Sequence, residues 1–246
     1  NNKLKYVIYG LDADLIFLSL ATNKDNIFLL REKQLMDGKA EMGVFNYVSI
    51  DIMKECIYDE IVDRFDEELV DINDIDKNNI INDFIFICYF LGNDFLPHIP
   101  SIDIKCYSKK VQNGLDLLIQ SYTHTYNNVN ENIIVNIDNK ITINHEFIVM
   151  FLEYLSIFED EFFVTNYNSK KYMRRCDSND PYEIEMFKIN NLQFKIKNPI
   201  ELGKDNSEMW KFRYYNHYYN SEINQKEIKK NACHKYFEGL YWVANY

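Results

Sequence analysis

The segment Ile80–Leu91 constrains the fold of this chain more than any other. Its residues are apolar almost all round a helix, and a helix of that kind packs in the middle of a core. Asn78 or Asn79 is expected to cap its start, and Gly92 to end it. Its longest apolar run is far shorter than the roughly 20 residues that a membrane span needs. The sequence therefore predicts a globular domain with no membrane partner.

The residues before this helix alternate between strand and helix patterns. β-branched and aromatic residues predict strands over 5–9, 27–31 and 45–50, the first of them buried. Helical spacing of apolar residues predicts helices over 15–21 and 51–69. This order is typical of an α/β fold.

The rest of the chain is predicted to be mainly helical. Residues 123–144 are rich in Asn and predict a surface loop with a small hairpin. An amphipathic stretch predicts a helix over 111–122. Helices are also predicted over 146–163 and over two Tyr-rich segments, 209–220 and 226–244.

Charge and cysteine content exclude some classes of protein. The net charge of −11 makes the chain a poor non-specific binder of polyanions, although residues 170–235 carry 14 Lys or Arg against 9 Asp or Glu. Acidic residues between Asp51 and Asp83 are interpreted as a solvated face. The five cysteines show no C-x-x-C spacing. This argues against a disulfide scaffold or zinc ribbon and predicts a reducing, intracellular location.

Two short motifs carry residues suited to metal chemistry. Asp12 and Asp14 follow the first strand two residues apart, and in extended backbone both would point to the same side. Carboxylates at the carboxyl end of a strand suit Mg²⁺. The alternative makes Asp12 a turn residue and Asp14 a helix N-cap. Asp94 directly follows the buried helix, where it would be either a metal ligand or part of an ordinary Gly-Asn-Asp turn.

Other candidates have structural alternatives of similar or greater weight. His98 would contact a carboxylate or the scissile phosphate, or else stabilise its loop. The basic cluster of Lys170, Lys171, Arg174 and Arg175 would contact phosphates, or form a solvated loop. The tyrosines at 214, 215, 218 and 219 would stack on bases, but packing between helices is favoured, as it is for Trp242.

Taken together, the motifs resemble those of the XRN family of 5′→3′ exoribonucleases. The resemblance is carried, in this order along the chain, by Tyr9–Ile16, Leu29–Glu32, Phe84–Pro100, Trp210–Tyr215 and Cys233–Val243. It spans nearly the whole chain.

The resemblance implies a fold, a reaction and a ligand set. It implies that residues 1–105 are the C-terminal half of a flap-endonuclease-like or PIN-like nuclease core, followed by a mostly helical extension over 106–246. Asp12, Asp14 and Asp94 match metal-site positions, with Mg²⁺ as the cofactor and Mn²⁺ as a substitute. The substrate would be single-stranded RNA with a 5′-monophosphate. The resemblance also implies that further metal-site acids of the family would lie upstream of Asn1, so residues 1–246 alone are expected to be catalytically incomplete and to need that upstream sequence as a partner.

Two other functions fit the same residues. The first is an inactive XRN-like scaffold that binds RNA or a protein. The second is a structure-specific DNA flap nuclease that uses similar acids, which the motif around Asp94 disfavours.

Overall fold

The computed structural model describes residues 4–22, 24–34, 40–104, 112–137, 140–172, 176–190, 200–221 and 225–246. The chain forms two compact units. The first contains Asn1–Tyr89 and Ile119–Phe151, and the second contains Phe90–Leu118 and Leu152–Tyr246. Helices and strands occur together, which confirms the mixed α/β class. The predicted domain division after residue 105 stays a prediction.

A three-stranded sheet lies in the first unit. Strands β1 (Tyr6–Tyr9) and β2 (Ile27–Gln34) are parallel, and β3 (Ala40–Ser49) runs antiparallel to β2. Helix α1 (Asp14–Leu20) connects β1 to β2, and α2 (Ile50–Val62) follows β3. The prediction that β1 is buried was wrong, because Val7 and Tyr9 are 56% and 60% exposed. Val7 and Tyr9 are alternate residues of the strand and project from the same face of the sheet, which is exposed to solvent at β1.

Helix α3 (Lys77–Cys88) is the predicted core helix, and its burial is confirmed. Ile81 and Ile85 pack with Leu20, Leu29 and Ile50 from the sheet and the other two helices. The predicted start was wrong. Asp76 is the N-cap, because its side chain accepts a 2.7 Å hydrogen bond from the N–H of residue 78.

Two later elements begin in one unit and end in the other. These are α4 (Gly114–Val129) and α5 (His145–Ser156), with the hairpin β4 (Ile134–Ile137) and β5 (Lys140–Ile143) between them. The hairpin within 123–144 is confirmed. The loop predicted from residue 123 was wrong, because α4 continues to Val129.

The second unit is helical within the part of the chain that the structure describes. It contains α6 (Glu159–Tyr172), α7 (Pro181–Asn190), α8 (Ser207–Tyr219) and α9 (Gln225–Asn245). The helix predicted over 146–163 is two helices, because the chain turns between Ser156 and Glu159. None of the helices in the described part is long and apolar enough to cross a membrane.

Arg213 on α8 organises the loop before that helix. Its guanidinium donates hydrogen bonds to the backbone oxygens of Ile200 (2.6 Å), Glu201 (3.1 Å) and Lys204 (2.8 Å). Gly203 in this loop has φ +83, and a Cβ there would lie 2.0 Å from a backbone oxygen of α6. The arginine of the Trp210–Tyr215 motif therefore has a structural role.

The described cysteines differ in accessibility. Cys56 on α2 and Cys233 on α9 are exposed, whereas Cys88 is buried. Burial raises the pKa of the Cys88 thiol to about 12, so it stays protonated.

Candidate functional site

Asp12 lies in the loop between β1 and α1, Asp14 is the first residue of α1, and both are exposed. An Oδ1 oxygen of Asp12 accepts a 3.1 Å hydrogen bond from the backbone N–H of Asp14. Ala13 has helical backbone angles, so the extended geometry predicted for this segment was wrong. Asp12 is therefore a turn residue, as its structural alternative predicted, while Asp14 is the first residue of α1 and does not cap it.

Arg31 on β2 fixes the position of this loop. Its guanidinium donates to the backbone oxygens of Leu11 and, at 3.3 Å, of Asp12. The N–H of Gly10 donates to the oxygen of Leu30 at 3.1 Å, which continues the pairing of the parallel strands. All of these bonds are accepted by backbone oxygens. They place Asp12 and Asp14 at the carboxyl end of a parallel strand, where α/β folds commonly bind ligands.

Asp94 lies at the tip of a tight, exposed loop. The side-chain oxygen of Asn93 accepts hydrogen bonds from the N–H groups of Phe95 and Leu96, both at 2.9 Å. Gly92 has φ +92, and a Cβ there would lie 2.9 Å from the backbone nitrogen of His98. Only glycine fits both conditions, so the motif specifies the loop that holds Asp94.

The three aspartates are divided between the two units. Asp12 and Asp14 belong to the first and Asp94 belongs to the second. Their convergence on one metal therefore stays a prediction. Among the described residues, no group of three or more His, Cys, Asp or Glu is close enough to hold a metal ion. The oxygen donors of Asp12 and Asp14 suit Mg²⁺ by type, and two carboxylates with water are a common partial ligand set.

The predicted phosphate contacts are only partly described. His98 is exposed and lines a cavity of the second unit. Lys170 and Lys171 lie in the last turn of α6, and their side chains are outside the described residues, as are Arg174 and Arg175 altogether. The role of these five residues stays a prediction.

Two aromatic predictions can be compared with the structure. Trp242 was predicted to be core and is 50% exposed. Tyr214 and Tyr215 are half-buried, as packing predicts, but Tyr218 and Tyr219 are 61% and 47% exposed.

Sequence reasoning missed Asp83, which is 0% exposed on α3. Its Oδ2 accepts hydrogen bonds from the hydroxyl of Tyr122 (2.8 Å), the amide of Asn132 (2.8 Å) and the N–H of Ile133 (3.0 Å). Its Oδ1 accepts one from the N–H of Ile134 at 2.8 Å. Burial raises the pKa of Asp83 to about 6, and the four hydrogen bonds oppose that rise.

This network joins α3 to α4 and to the hairpin, so Asp83 is a structural residue. The interpretation of residues 51–83 as a solvated acidic face was wrong at this position. The signal in the sequence was the location of Asp83 among the apolar residues of α3, since a charge there must be paired.

Comparisons with known proteins identify the family. The model described as "Xrn1 helical domain" matches residues 74–206. The model described as "XRN 5'-3' exonuclease N-terminus" matches residues 1–33. The first match covers more than half of the chain, and the chain belongs to the XRN family.

Its curated relatives include proteins named 5'-3' exoribonuclease 2. The one from Yarrowia lipolytica is 40% identical over 108 residues, which cover 43% of this chain and 10% of the relative. The one from Debaryomyces hansenii is 29% identical over 189 residues, 68% of this chain and 17% of the relative. The one from Candida albicans is 33% identical over 142 residues, which cover 48% of this chain and 13% of the relative. The chain thus spans about a tenth to a sixth of the length of these relatives.

Proposed function

We propose that this chain is part of a 5′→3′ exoribonuclease that hydrolyses single-stranded RNA from a 5′-monophosphate end. The first unit would then supply part of a flap-endonuclease-like nuclease core. The main support is the carboxylate pair at the carboxyl end of β1, in a chain that belongs to the XRN family. The relatives' names support the same reaction class.

Asp12, Asp14 and Asp94 are the proposed metal ligands, with Mg²⁺ as the ion and Mn²⁺ as a substitute. A pair of such ions would activate the attacking water and stabilise the leaving oxygen. Arg31 holds the backbone around Asp12, and Asn93 holds the loop of Asp94. Asp12 and Asp94 are therefore each carried by a loop whose backbone is fixed before substrate binds, which reduces the cost of assembling the site.

Substitution of single ligands in the full-length protein tests this proposal. We expect Asp94→Asn and Asp12→Asn to lower the cleavage of 5′-monophosphate RNA by about 10²-fold or more, since each removes charge that holds the ions. RNA binding, measured in EDTA, should stay within about twofold of wild type. Asp177→Asn is a matched control, because Asp177 is also an exposed, non-helical aspartate of the second unit.

The same assay separates the alternatives. Equal loss of binding and cleavage in Asp94→Asn would assign that residue a structural role. A wild-type protein that binds RNA but cleaves none in Mg²⁺ or Mn²⁺ would be a scaffold. Preference for flapped DNA over 5′-monophosphate RNA would make it a flap nuclease.

A further inference from the structure

The second unit contains a cavity of about 540 Å³. This volume falls in the range of roughly 300–1,000 Å³ that is typical of ligand pockets. Its walls include Trp210 and Tyr215 of α8, Lys229 and Cys233 of α9, and His98 of the loop after α3. None of the three proposed metal ligands lines it.

Aromatic rings form much of this cavity. Tyr214, Tyr215 and Tyr236 line it together with Trp210. The hydroxyl of Tyr236 donates a 3.1 Å hydrogen bond to the backbone oxygen of Pro97, which fixes that ring. Burial raises the pKa of Tyr214 and Tyr236 to about 12, so both remain neutral hydroxyls. Rings of this kind offer flat, apolar surfaces on which a base can stack.

Two lysines, Lys211 and Lys229, and one acid, Glu159, line the cavity. Lys211 is paired with Glu159 at 3.2 Å and with Asp160 at 3.5 Å. Lys229 lies 4.8 Å from the ring centroid of Tyr215 and makes no ion pair with any of the described residues. An ammonium group beside an aromatic surface suits a ligand with a flat ring and an anionic group.

We propose that this cavity binds one nucleotide, with the base against the aromatic wall and the phosphate on the ammonium group of Lys229. The nucleotide is either a unit of single-stranded RNA or a free nucleoside monophosphate. The choice of nucleotides as the ligand class rests on the proposed function, because RNA is the proposed substrate and a nucleoside monophosphate its product. Binding of a nucleotide in the cavity does not require the proposed metal site, because none of the proposed metal ligands lines the cavity.

Protection of Cys233 from alkylation tests for binding. The probes are AMP, adenosine and an eight-nucleotide oligoadenylate, each added in EDTA so that metal-dependent cleavage does not interfere. Cys233 lines the cavity, and Cys56, which is also exposed but lies on α2, is the reference thiol in the same chain. We expect AMP to slow alkylation of Cys233 severalfold, measured by peptide mass spectrometry, and to leave Cys56 unchanged.

Neighbouring lysines provide a matched pair of variants. Lys229→Ala should weaken AMP protection about tenfold or more, because it removes the charge that pairs with the phosphate. Lys230→Ala removes the same charge one residue away, and Lys230 is exposed and does not line the cavity. It should bind AMP as wild type does. Adenosine, which lacks the phosphate, should bind both variants equally.

The outcomes are distinct. Stronger protection by oligoadenylate assigns the cavity to the RNA chain, and protection by AMP alone assigns it to the free nucleotide. Absence of protection by both, or equal weakening by Lys229→Ala and Lys230→Ala, overturns the proposal. Thermal melting of each variant establishes that the fold is intact. Failure here leaves the exonuclease proposal standing, since that proposal is tested by cleavage in Asp94→Asn.

Discussion

The buried carboxylate of Asp83 should make the stability of the first unit depend on pH. Its pKa is about 6 in the fold, compared with an ordinary value of 3.8. The folded state therefore binds this proton more tightly than the unfolded state does. The resulting stabilisation is fully present below about pH 3.8 and is lost as the pH rises through 6.

The size of the effect follows from these two values. One pKa unit corresponds to about 1.4 kcal/mol. Between pH 4 and pH 7 the wild-type protein should lose roughly 2 kcal/mol of unfolding free energy through this group. Other titrating groups contribute as well, so the wild-type curve alone does not isolate it.

Asp83→Asn isolates the contribution. The variant has no charge to titrate, and its amide leaves one of the N–H donors of Ile133 or Ile134 without an acceptor at every pH. That lost bond costs about 1–3 kcal/mol and shifts the whole curve. The difference between wild type and variant should therefore change by roughly 2 kcal/mol from pH 4 to pH 7 in favour of the variant.

Urea unfolding followed by circular dichroism at several pH values measures this difference. Tryptophan fluorescence would not report on the first unit, because both tryptophans lie in the second unit. Hydrogen exchange at the backbone N–H groups of Ile133 and Ile134 therefore provides the local readout for the first unit. Asp59→Asn, at an exposed position on α2, is the control for removing a surface carboxylate. The same pH dependence for Asp83→Asn and Asp59→Asn would refute the raised pKa of Asp83 and the reasoning from burial.

Two further predictions concern the stability of two loops in the second unit, the loop that contains Gly92 and the loop that is held by Arg213. Gly92→Ala should destabilise the protein by more than about 1–2 kcal/mol, because it adds a clash with His98 to the cost of a positive φ. Residue 43 also has a positive φ (+76) but has open space around it, so Gly43→Ala should cost only the backbone strain. Thermal melting compares them, and equal costs would exclude the clash. Arg213→Lys should cost about 2–3 kcal/mol, because lysine cannot replace three separate bonds to carbonyl oxygens. Arg64→Lys on the exposed surface should cost less than about 1 kcal/mol by the same urea measurement, and a similar loss in both would contradict the role of Arg213.

Much of the fold could be predicted from local patterns. Local patterns predicted α3, α8 and α9 to within a few residues, and for α3 the pattern is long and almost wholly apolar. The end of α2 was harder. Apolar spacing continued to Leu69, but the helix ends at Val62, and Phe65 beyond it is buried against the ring of Tyr126. The break between α5 and α6 has no Gly or Pro to signal it.

Exposure was the property that local patterns predicted least well. β1 has the composition of a buried strand, but burial depends on neighbours that the strand sequence does not specify. Asp83 shows the opposite error, since it was predicted to be exposed and is buried. The count of acidic residues over 51–83 indicated a solvated surface and did not distinguish the one acid that faces the core. At the candidate site, the motifs identified Asp12 and Asp94 on loops and Asp14 at the start of α1. The local geometry around Asp12 followed turn chemistry instead of an extended strand.

The distribution of thiols makes the arrangement of the two units accessible to measurement. Cys56 and Cys233 provide one reactive position in each unit, while the protonated thiol of Cys88 stays inert. With Cys106 and Cys176 replaced by serine, a donor and an acceptor dye on Cys56 and Cys233 would give an energy-transfer efficiency. A change in that efficiency on adding Mg²⁺, absent in Asp94→Asn, would be the direct signature of one ion drawing ligands from both halves of the chain.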